Sequence, residues 1–205
     1  MNNIFSKFNL YDQIGYLLVG AIALILIIFD SFYFYSLTIP EFKLDALLVW
    51  FIVAYFFGHV VQTAANLLNE IPLLNFLIRE NKKEFTDKEK EILEQAKIFF
   101  KLKKQDEDKI WNLCYVFALA KDISGHVQIF NAYYSLYRGW FIIFLLQSIF
   151  LSIYVLFVAY NLQIILLLIT SIFIACLFHN RSLRFWQYTR NKALETFVVV
   201  KTLNL

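Results

Sequence analysis

Tyr55, His59, Gln62, Asn66 and Asn69 follow one another at steps of four, three, four and three. On an α-helix this spacing lines the five side chains along one seam. The seam lies in YFFGHVVQTAANLLNE, residues 55–70, which begins as apolar as a membrane span and then fills with polar groups. A polar side chain turned to lipid finds no water to bond, so the seam must face protein or a water-filled space. Three chemistries fit. The groups can be hydrogen-bond glue between helices, each worth on the order of 0.6 to 2 kcal/mol. They can line an aqueous path, or His59 can be catalytic. The regular spacing over roughly 20 Å of helix raises the wet path, because glue needs only one or two contacts.

Other spans offer weaker signals. Gln147, Ser148 and Ser152 fall in the third apolar run, and Thr170, Ser171 and His179 in or beside the fourth. Ser and Thr bond back to their own helix at little cost, which leaves Gln147 as the further pore-lining candidate. Asp30, near the end of the first run, either stays solvated at the interface or meets Lys43. Four spans are too few to surround a hydrated pore and still pack one another. A conducting path therefore requires a closed ring of copies, with a tetramer favoured.

A basic collar follows the fourth run: Arg181, Arg184, Arg190 and Lys192, with Lys101, Lys103 and Lys104 at a helix end in the middle of the chain. Such a collar marks the inner face of a membrane and meets anionic headgroups. It also suits an anionic ligand, a nucleotide or oligonucleotide, for which Trp186 and Tyr188 offer stacking surfaces. Enzyme signatures are missing: there is no P-loop, GxSxG or HExxH, and no paired acids within a span. Asp122 and His126 stand four apart but lack a third ligand, so no metal and no cofactor is expected. Cys114 and Cys176 form no CxxC and read as packing residues.

Composition supplies the elements that hold these residues. The chain has 205 residues, is 60% hydrophobic and contains 23 Phe and 12 Tyr. Runs of about 20 apolar residues match the roughly 30 Å hydrocarbon core of a bilayer. They occur at 14–29 (extended to 35), 46–68, 139–160 and 162–178, with Asn161 alone between the last two. Between them, Thr86 and Glu89 form a capping box, and Ile92, Leu93, Ala96, Phe99 and Phe100 give the following helix an apolar face. A polar turn at 103–108 offers Asp106 as the cap of a second helix from Glu107, with Gly125 and Gly139 as candidate breaks. The fold class expected is all-α: four transmembrane helices with a helical cytoplasmic body, in a symmetric homo-oligomer. The divisions are a transmembrane pair at 1–68, a cytoplasmic region at 69–138, a transmembrane hairpin at 139–180 and a basic tail helix at 181–205.

Three stretches, NLYDQIGYLLVG at 9–20, YFFGHVVQTAANLL at 55–68 and RFWQYTRNKALETF at 184–197, resemble small multi-span proteins of bacterial antiphage systems. The layout is similar to the pore-forming effectors of the Hailong system. That resemblance implies a ring-shaped ion channel in the inner membrane, held closed until infection. It also implies control by a nucleotide or DNA-oligomer signal made by a partner enzyme.

Orientation follows from charge. Segment 69–138 holds twelve Lys/Arg and the tail five, whereas the loop at 37–45 has only Lys43 beside Glu41 and Asp45. A cytoplasm-dependent reporter placed near Gln105 or after Leu205 is expected to be active, and a periplasm-dependent one only within 37–45. Periplasmic activity near Gln105 would reverse the topology.

Overall fold

The computed structural model describes residues 12–38, 43, 46–70, 85–102, 106–122, 124–158 and 160–203, and every regular element among them is helical. A π-helical segment, Asp12–Leu18, runs into α1, Val19–Tyr35. Then come α2, Leu47–Glu70, α3, Asp87–Phe99, α4, Glu107–Lys121, α5, His126–Phe157, and α6, Leu162–Leu203. Four helical stretches are long and apolar enough to cross a membrane: Gln13–Tyr35, Leu47–Leu68, and the whole of α5 and α6. At 1.5 Å per residue the 32 residues of α5 and 42 of α6 exceed a hydrocarbon core of roughly 30 Å, so both carry helix beyond it.

Where each helix stops follows from local chemistry. Ser36 adopts φ 52°, and Ser36 N–H and Leu37 N–H return to Phe32 and Ser31 carbonyls to close α1. The capping box at Thr86 and Glu89 forms with both of its bonds. Asp106 takes the cap position of α4, although its side chain makes no capping bond. Gly125, at φ +67°, separates α4 from α5. Gly139 does not break the chain. It lies inside an unbroken α5, where a Cβ would come within 2.7 Å of both Val19 methyl carbons. Asn161 caps α6, its side-chain oxygen accepting from Gln163 N–H at 2.9 Å.

The chain forms two compact units: Met1–Arg79 with Ala132–Ser182, and Glu80–Asn131 with Leu183–Leu205. In the first, α1 and α2 touch through backbone. A Cβ on Gly20 would clash with the Ala54 carbonyl, and one on Gly58 with the backbone of Tyr16. Small residues of this kind let helices approach closely where water does not drive them together. Val19, Ala23, Val61, Ala65, Ile142 and Ala175 fill the core around that contact. The α5–α6 hairpin is clasped by Ser148 and Ser171, whose hydroxyls lie 3.2 Å apart and both donate to the Phe144 carbonyl. The second unit closes around Leu93, Ala96, Trp111, Cys114, Leu194 and Phe197.

Candidate functional site

The seam of α2 divides within a single subunit. Gln62 is buried, and its amide nitrogen donates to the Gly15 carbonyl at 3.0 Å and the Ser135 carbonyl at 2.8 Å. Its oxygen accepts from Arg138 at 3.2 Å, and the same guanidinium nitrogen reaches Asn66 at 2.6 Å. Arg138 also donates to the Tyr134 hydroxyl at 3.3 Å, with the guanidinium over that ring. One amide thus ties together the π-helical segment, α2 and α5.

Its neighbours point elsewhere. His59 is exposed, stacked on Tyr16 with ring centroids 3.9 Å apart, while Tyr55 meets it edge-on at 4.6 Å. Thr63 and Asn66 are exposed too, so His59, Thr63 and Asn66 form a polar stripe on the outside of the subunit. The backbone of Asn69 lies in the last turn of α2, and its side chain lies outside the described residues. Gln147 stands apart from the seam, donating to Asp30 at 2.8 Å, which joins α5 to α1.

Sequence reasoning missed Arg138, Thr63 and Tyr16. Arg138 was one charge among the twelve of segment 69–138, yet its place directly before an apolar run, four after Tyr134, was a usable signal. Thr63 carried none, because threonine inside an apolar helix usually bonds its own backbone.

The basic collar also separates. Arg190 is buried and bonded to Glu89, with nitrogen–oxygen distances of 3.0 and 3.1 Å, and lies over the Phe85 ring. Glu89 accepts in addition from the backbone N–H and hydroxyl of Thr86, so the helix cap and the ion pair share one carboxylate. Arg190 is therefore committed inside the second unit and is not offered to a ligand. Lys192 pairs with Glu195 at 3.7 Å. Arg181 lies over the Tyr137 ring at 5.8 Å. Lys101 is exposed, in the left-handed conformation that ends α3, and Arg184 is exposed. Lys103 and Lys104 lie outside the described residues. Trp186 packs on Trp111 at 5.1 Å, so of the two stacking candidates Tyr188 is the more exposed.

Asp122 and Cys114 are held by their surroundings, whereas the free thiol of Cys176 is exposed. Asp122 lies before α5, and Ser124 links it to His126: its hydroxyl donates to Asp122 and sits 2.9 Å from His126 Nδ1. Partial burial opposes the charge on Asp122, but hydrogen bonds from Ser124 and Val127 and the Lys192 charge outweigh it and hold the carboxyl below its usual range. Burial pushes the Cys114 thiol up to about 12, far from reactive at neutral pH. Among the described residues no group of three or more His, Cys, Asp or Glu could hold a metal. Comparison with protein-family models, curated proteins and solved structures gives no match.

Two substitutions separate these roles. Gln62→Leu removes three interhelical bonds and is expected to destabilise the first unit by about 0.6 to 2 kcal/mol per bond, measured by unfolding in mixed micelles. Normal stability in that variant would show that the bonds carry no weight. Arg190→Gln leaves Glu89 buried without its cation and is expected to cost about 3–5 kcal/mol, read from the fluorescence of Trp111 and Trp186 on denaturation. Exposed Arg184→Gln should stay within about 0.5 kcal/mol of the parent. Equal effects from the two arginines would contradict the buried pair.

Proposed function

We propose that this chain is a subunit of an oligomeric inner-membrane effector whose assembled form opens an ion path and depolarises the cell. The observation that carries this reading is the stripe of His59, Thr63 and Asn66, exposed on α2, a helix long and apolar enough to cross a membrane. Asn66 already accepts from Arg138, and a threonine can bond its own helix, so the His59 ring and the Asn66 amide nitrogen are the groups that lipid would leave without water; another copy or a hydrated lumen would supply their partners. The lining is narrower than the seam, because Gln62 serves the interior of its own subunit. Resemblance to antiphage effectors supplies the setting, with both termini in the cytoplasm and a nucleotide or DNA-oligomer signal reaching the exposed basic residues, Lys101 and Arg184 among them.

A second reading has its own support. The bonds among Gln62, Asn66 and Arg138 are satisfied within one chain, as expected of a non-conducting anchor or sensor subunit. Ion flux into liposomes separates the two. The purified chain is expected to migrate as a closed oligomer and to conduct. His59→Leu with Thr63→Leu should leave assembly intact and remove most of the flux, since a leucine ring in a narrow pore favours dewetting. A monomeric parent, or an assembled double variant that conducts normally, would sink the pore and leave the anchor.

A further inference from the structure

A cleft of about 840 Å³ opens in the second unit, within the range of small-molecule sites. Ile92 of α3 and Val199, Val200 and Leu203 of α6 give it an aliphatic wall. Val199 and Leu203 are 53% and 59% exposed, an apolar pair on successive turns beyond the length of α6 that a bilayer core needs. Among the described residues none of the thirteen that line the cleft is aromatic, although aromatic residues make up 19% of the chain. A nucleobase binds by stacking on aromatic or guanidinium planes, and this wall offers neither. Flexible methylene chains need only aliphatic contact.

Charge sets the other end of the ligand. Lys88, Lys121 and Lys192 line the same cleft. Glu195 occupies Lys192, and the Asp122 carboxylate is taken up by Ser124 and Val127. Lys88 and Lys121 are exposed and have no ion pair among the described residues. Two ammonium groups beside an aliphatic wall complement an anionic headgroup on an apolar tail. We propose that this cleft binds a free long-chain carboxylate, with its chain along Ile92, Val199, Val200 and Leu203 and its carboxylate between Lys88 and Lys121. The site is independent of ion conduction, and a non-conducting chain would bind the same ligand.

The test uses the full chain held in amphipol, with protein-free amphipol as the blank for palmitate taken up by the polymer's own alkyl chains, and radiolabelled palmitate as the probe. Saturable binding of one palmitate per chain is expected. Lys88→Gln with Lys121→Gln, and separately Val199→Gln with Leu203→Gln, should each weaken it by about tenfold or more. All four positions are exposed or half-exposed, and unchanged tryptophan fluorescence will report an intact second unit. Methyl palmitate should bind less tightly than palmitate, and ATP should not displace it. Protein-dependent uptake that does not saturate, or that either double variant leaves unchanged, overturns the proposal. Displacement of palmitate by ATP overturns the acyl assignment.

Discussion

A primary amide buried among apolar helices must place both its donors and its acceptor on protein, because lipid supplies neither. Gln62 does this by reaching the Gly15 carbonyl, the Ser135 carbonyl and Arg138, which lie on two other helical segments. The close contacts nearby depend on the same arrangement. Gly139 has to lack a side chain because Val19 and Gln62 Nε2 occupy the space a Cβ would need. Gly58 has to lack one because the π-helical segment passes over it at Tyr16. Hydrogen bonding fixes which faces meet, and glycine lets them meet closely enough for the amide to reach.

The second unit solves a different problem with a different interaction. Here the buried groups are a carboxylate and a guanidinium, 101 residues apart in sequence, and each is worth keeping only while the other is present. Glu89 already serves the Thr86 cap, so one carboxylate orients the start of α3 and docks it on α6. A cap alone contributes about 1 kcal/mol. Shared with an ion pair, it also sets the register in which Leu93 and Ala96 meet Leu194 and Phe197.

Much of the fold was legible because lipid imposes length and apolarity that a sequence displays directly. The four spans, the capping box at Thr86 and the helical tail all follow from local pattern, although the tail is one unbroken helix with the last span. Glycine weakens a helix, which makes Gly139 a candidate break, whereas its role here is a contact with α1 and α2, distant in sequence. Local sequence places Arg190 in the basic collar, because its partner lies 101 residues away. Gln147 was grouped with the seam by residue type, and only the packing of α5 on α1 gives it Asp30. In each case local pattern located the residue, and a long-range neighbour decided its task.

The seam shows the same limit at finer scale, and it bears on how a pore and a packing interface can share one helix. At 3.6 residues per turn, His59 sits roughly 60° and Thr63 roughly 100° around α2 from Gln62. A stripe that wide cannot lie wholly against one neighbouring helix. Its inner edge is taken by the π-helical segment and α5, which use Gln62. The outer edge, at Thr63 and the His59 ring on Tyr16, is left on the surface. Hydrogen-bond glue at the inner edge therefore leaves the outer edge free of that task. The bonded edge fixes the rotation of α2 within its subunit, and that rotation decides which polar groups a second subunit or a column of water would meet.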